Sequence, residues 1–203
     1  APIVIAGLLA TWVVAALELN GDIYSSLNAS VLNMLDFDRY AKSFILLLTT
    51  IALLWVIINY NFFSDESNEA DHLALILFSM VGGFCMVSYT NFVMLFLGIE
   101  ILSIPMYVLA GSNKRSLRSN EASLKYFLMG SFATGILLFG IALLYGSTGS
   151  FYVYDLRVKT TGADFVMTPM FTVGMVMLLA AMAFKSSAAP FHFCAPDVYS
   201  GSP

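Results

Sequence analysis

The chain has 203 residues, 59% of them hydrophobic and 11% charged, with a net charge of −4 and a mean hydropathy of +0.83. A soluble domain carries roughly 25% charged residues, so this composition cannot build a water-soluble surface. The small acidic balance carries no nucleic-acid signal, and Cys85 and Cys194 imply neither a disulfide nor a metal spacing.

Long apolar runs alternate with short polar stretches. In chain order the runs are 2–17, 43–59, 73–89, 92–110, 124–145 and 168–184. Each is close to the roughly 20 residues that cross a hydrocarbon core of about 30 Å. The stretch 73–110 is too long for one span, and Tyr89-Thr90-Asn91 divides it into a helical hairpin. Six such runs exclude a buried soluble core. Barrel strands would alternate in polarity over about ten residues, whereas 44–58 is apolar on every face. The expected fold is therefore an all-α polytopic membrane protein of about six transmembrane helices embedded in the lipid bilayer. The chain opens in apolar sequence at Ala1 without an initiator Met and stops at Gly201-Ser202-Pro203, which reads as a piece of a longer polypeptide.

The first connector, 18–42, carries Leu27, Val31, Leu32 and Leu35 at helical spacing. That pattern suits a short amphipathic helix at the interface, or a packed loop. The loop 61–72 holds Asp65, Glu66, Glu69 and Asp71 without a basic residue, while 111–120 holds Lys114, Arg115 and Arg118 without an acid. Basic loops mark the cytoplasmic side and acids count little, so 111–120 is assigned to the cytoplasm. Alternation then places 89–91 and 146–167 outside.

Three charges fall within or at the ends of spans. An ionisable group at the bilayer centre costs about 2.5–3.5 kcal/mol on insertion scales and is functional by default. Glu100 lies nine residues beyond Asn91, about 14 Å deep at 1.5 Å per residue. Pro105 removes the helical bond to the Ile101 carbonyl beside it. A protonated glutamate making one interhelical bond is the plainer alternative. Lys125 stands four residues after Glu121, which stabilises any helix, and a lysine near a helix end can snorkel to water. Its height also allows a pair with Glu100. Lys185 precedes Ser186-Ser187-Ala188-Ala189-Pro190, where a helix should break because Pro190 cannot donate to the Ser186 carbonyl. A broken helix at membrane depth survives only inside protein or a cavity, and the freed carbonyls of a half-helix can face a cation. Counted from Thr168, Lys185 is about 25 Å in, which favours snorkelling instead. His192 and Cys194 form an H-x-C pair with too few ligands nearby for a metal site.

Three stretches carry a resemblance. Residues 94–111, MLFLGIEILSIPMYVLAG, resemble one span of the antiporter-like subunits of respiratory complex I, the NADH–quinone oxidoreductase. EASLKYF from Glu121, followed by LYGSTG from Leu144, resembles the next span. FKSSAAPFHF from Phe184 with APDVYSGSP from Ala195 resembles the family's broken helix. Asp197-Val198-Tyr199 makes the wording more like the subunit N branch than its sisters L and M. The likeness covers 73–203 well, and the first third by hydropathy only.

The resemblance implies a great deal. Complete members hold about fourteen spans in two inverted repeats, so this chain looks like spans two to seven. It would be one membrane-domain fragment, with 1–72 forming peripheral spans and the interfacial connector. Residues 73–203 would form most of the first antiporter-like repeat. Glu100 is implied as the charged partner, Lys125 as the modulating lysine and Lys185 as the central proton carrier. Pro105, Ser186, Ser187, Pro190 and His192 would support them. No cofactor or metal is expected on this chain; NADH, FMN, iron–sulfur clusters and quinone belong elsewhere in the complex. The implied partners are other membrane subunits, and the implied location is a bacterial inner membrane or, alternatively, an organellar one. A monovalent cation/proton antiporter of the related multi-subunit type is the alternative. Cys194 departs from the family, which usually has Trp there.

Overall fold

In the computed structural model, which describes residues 2–20, 34–60, 69–162 and 166–203, the chain is all-helical. The helices are α1 (Pro2–Asn20), α2 (Arg39–Ile58), α3 (Glu69–Ser88), α4 (Phe92–Ala110), α5 (Leu117–Thr148), α6 (Val153–Thr161), α7 (Pro169–Lys185) and α8 (Ala195–Gly201). A 3₁₀ turn, Phe191–Cys194, separates α7 from α8. Two isolated bridges, Leu35 with Tyr89 and Asn91 with Tyr152, are the extended pairings among the described residues. Helices α1 to α5 are long and apolar enough to span a membrane, and α7 stops at 17 residues. The six expected spans thus stand as helices.

Helix starts follow local chemistry. The Ala41 N–H donates to Asp38 at 2.7 Å and the Val93 N–H to Asn91 at 2.8 Å. Ser116 caps α5, and Thr168 caps α7 with Pro169 in its first turn. Such caps satisfy N–H groups that have no helical partner and contribute about 1 kcal/mol each. Ser116 starts α5 two turns before the expected span, so this helix has 32 residues. Helix α6 was not anticipated in 146–167. Its signal is Asp155 in the first turn and Lys159 in the last, which oppose the helix dipole.

The contacts divide the chain into two compact units. The first comprises Ala1–Tyr89 with Leu97–Pro105. Its core includes Leu8, Leu53, Val56 and Leu73. Lys42 pairs with Glu18 at 3.1 Å, both side chains nearly buried. Helix α3 meets the middle of α4 through glycines: a Cβ on Gly82 would lie 2.7 Å from the Gly98 carbonyl oxygen. Small residues let membrane helices approach this closely. Leu27, Val31 and Leu32 of the expected interfacial helix lie outside the described residues. Leu35 pairs with Tyr89 instead, and the Asp36 N–H donates to the Ser88 carbonyl at 2.7 Å.

The second unit comprises Thr90–Phe96 with Met106–Pro203. Helices α5 and α7 pack along their length, and α8 returns against the start of α5. On the other end, Gly149 takes a left-handed φ of 73° after α5, and Lys159 donates to the Thr148 carbonyl. Large apolar side chains of α5, Phe132 and Phe139 among them, point outward. A water-facing helix would not expose them; a lipid-facing one must.

Candidate functional site

Helix α5 serves as a ruler for the second unit. At one end the Ser119 hydroxyl donates to the Ala110 carbonyl at 2.8 Å, and the Ser123 hydroxyl to the Tyr107 carbonyl at 3.0 Å. The last turn of α4 therefore runs antiparallel beside the first turns of α5. Further along, a Cβ on Gly140 would lie 3.0 Å from the Leu178 nitrogen, and one on Gly146 would lie 3.3 Å from Met170. Helix α7 is thus antiparallel to α5 as well. Carrying that register forward sets Lys185 level with about Phe132.

That level is about 22 Å from Leu117 and about 24 Å from Thr148, midway along α5. Counting from Thr168 alone had set Lys185 near a span end. The count is right, but α7 stops short of the distance that α5 covers. The remaining height is taken by the turn and α8, where a Cβ on Gly201 would lie 2.9 Å from the Arg118 carbonyl oxygen. Lys185 consequently ends its helix midway along α5.

The break has a definite construction. Ser187 adopts φ 52°. Its N–H donates to the Phe184 carbonyl at 3.0 Å and the Ala188 N–H to the Ala183 carbonyl at 2.8 Å, while the Ser186 N–H takes the Met182 carbonyl at 3.0 Å. This is a Schellman ending, which normally uses glycine at the left-handed position. The Ser186 hydroxyl turns back to the same carbonyls. The carbonyls expected to face a cation thus accept bonds from their own chain. The helix end still presents its negative dipole to the ammonium of Lys185. Pro190 follows a cis peptide, and His192 lies exposed in the 3₁₀ turn.

Lys185 is half-buried and its ammonium donates to the Tyr107 hydroxyl at 3.1 Å. Tyr107 is 5% exposed. Its ring meets Tyr126 edge-on at 4.7 Å and Phe127 at 5.9 Å. Lys125 stands about 10 Å from the Lys185 level along α5. Its ammonium lies 2.7 Å from Glu121 and 2.8 Å from Asp197, with the side chain 43% exposed. Glu100 belongs to the first unit, half-buried on α4, which runs unbroken through Pro105. The second unit therefore brings Lys185 to Tyr107 and Lys125 to Asp197.

Sequence reasoning passed over Tyr107 and gave Asp197 no role of its own. A tyrosine inside a span buries a polar tip that needs a partner, and an acid after a helix break is unusual in so apolar a chain. Both signals were present.

Residues 89–203 match the family described as NADH:quinone oxidoreductase/Mrp antiporter, transmembrane. The chain belongs to this family. Among relatives of the antiporter family, NADH-quinone oxidoreductase subunit N of Cytophaga hutchinsonii is 56% identical over 171 residues, covering 84% of this chain and 36% of the relative. Subunit N of Flavobacterium psychrophilum is 42% identical over all 203 residues, covering 43% of the relative. The likeness to the family thus extends into the first third, beyond hydropathy. A chain in the structure of respiratory complex I from Thermus thermophilus with bound aureothin is 32% identical, with a TM-score of 0.69 over 98% of this chain and 43% of that one. The chain spans well under half the length of these relatives.

Proposed function

We propose that the chain is part of a proton-translocating membrane subunit of NADH–quinone oxidoreductase, of the subunit N type. It would work in a bacterial plasma membrane beside other membrane subunits. The observation that carries this reading is Lys185, an ammonium on a phenol at the end of a helix midway along α5. Burying a lysine weakens its hold on a proton and pairing strengthens it, so a lysine whose partner changes can take up and release one. In this reading Lys185 carries the proton, Lys125 is the modulating lysine and Glu100 the charged partner. Pro105, Ser186, Ser187, Pro190 and His192 shape the helices around them. NADH, FMN, iron–sulfur clusters and quinone would be bound by other subunits, and their redox chemistry would drive the cycle. As a translocase the subunit would perform no redox step itself.

The family's description also names Mrp antiporters, which favours a second reading: a monovalent cation/proton antiporter subunit using the same charges without a redox partner. Purification of the full-length chain from its own membranes separates the two. NADH dehydrogenase subunits co-purify under the first reading, and a small antiporter complex under the second. Glu100→Gln in the assembled complex tests the shared chemistry, with loss of proton pumping expected. Undiminished pumping at normal assembly would reduce Glu100 to a packing residue.

A further inference from the structure

We propose that the Tyr107 hydroxyl is a proton-relay group for Lys185, an inference that rests on the proton-carrying reading of that lysine. Two observations support it. The first is the bond itself, 3.1 Å from the Lys185 nitrogen to the Tyr107 oxygen, with the ammonium 5.7 Å from the ring centre. The second is Gly130 on α5. A Cβ there would collide with the Tyr107 hydroxyl and would lie 2.7 Å from the carbon bearing it. Glycine is a poor helix former, yet it stands mid-helix where the phenol needs a seat. Tyr126 and Phe127 pack nearly perpendicular to the ring and hold it in that seat.

The hydroxyl suits both states of the lysine. Toward the ammonium it accepts a hydrogen bond; toward the neutral amine it can donate one. The relay step follows. The Lys185 ammonium breaks one N–H bond and gives that proton to the Tyr107 oxygen. In the same step the phenolic O–H bond breaks, and its proton passes to a water molecule on the far side. Lys185 becomes an amine, Tyr107 is again a neutral phenol, and the water gains the proton. No phenolate accumulates and no redox partner is needed. The seat over Gly130 is about 7 Å along α5 from Lys125, so the hydroxyl stands between the two lysine levels.

Tyr107→Phe in the full-length subunit, within its assembled complex, removes the hydroxyl and keeps the ring. Proton pumping should fall about a hundred-fold or more, within the range for a lost proton-transfer group. The solvent deuterium isotope effect on pumping should rise, because the transfer becomes slower. A purely structural loss would lower the rate and leave the isotope effect unchanged, which would overturn the relay. Gly130→Ala provides a second route, displacing the hydroxyl while removing no polar group. It should show the same rise, and does so without depending on how Tyr107→Phe assembles. Lys185→Ala is run alongside. Full pumping in Tyr107→Phe with none in Lys185→Ala overturns the relay and spares the reading beneath it. Full pumping in both overturns both.

Discussion

Gly140 and Gly174 face each other where α5 and α7 cross: a Cβ on either would lie 3.1 Å from the other's carbonyl oxygen. This contact sets the register that leaves Lys185 midway along α5. Gly174→Leu should force the helices apart and cost about 1–3 kcal/mol, the usual range for overpacking. Thermal inactivation of the purified complex, or its yield from membranes, measures the loss. Gly135, whose added Cβ meets nothing within 4 Å, is the control: Gly135→Ala should leave both quantities at or above the wild-type level.

The ending of α7 gives a sharper pair of variants. Ser187 holds a left-handed backbone that glycine adopts freely and β-branched residues resist. Ser187→Gly should match or exceed the wild type in heat resistance. Ser187→Val should lose assembled complex. Equal behaviour of the two would mean that the left-handed turn is not needed for folding.

Lys125 divides its ammonium between Glu121 and Asp197. Either acid alone keeps it charged and oriented, so Glu121→Gln and Asp197→Asn should each be mild. Together they should cost more than their sum, because residues sharing one partner are coupled. The test is a double-mutant cycle on the heat stability of the complex, and simple additivity would count against a shared role.

In the first unit, Glu18 and Lys42 form an ion pair with both side chains nearly buried. Removing one partner of such a pair costs about 3–5 kcal/mol, whereas replacing both can be neutral. Lys42→Met should therefore sharply reduce assembly, and Glu18→Gln combined with Lys42→Met should restore most of it.

The spans were legible because burial in lipid is written in composition: a run such as 92–110 leaves little choice but a helix. The hairpin at 89–91 was legible for the same reason, as its polar residues interrupt an apolar stretch. Depth was harder to read. Lys185 looked like a span-end lysine because its count began at Thr168, and no local signal tells how far a neighbouring helix continues. Only the glycine contacts of Gly140, Gly146 and Gly174 supply that ruler. Tyr107 stayed hidden for a related reason. Its partner is 78 positions away in the chain, and pairing at that separation is a property of the packing. The break at Pro190 was visible as a proline. Its Schellman construction was not, since a serine stands where glycine is the usual signal.

The most direct test of the account is proton pumping by the full-length subunit carrying Lys185→Ala in the assembled complex, measured as a pH gradient in sealed vesicles during NADH oxidation. With assembly at the wild-type level, the account predicts a large loss of pumping. A wild-type gradient at wild-type assembly would contradict it, leaving Lys185 as a lysine that only fastens the end of α7 to Tyr107.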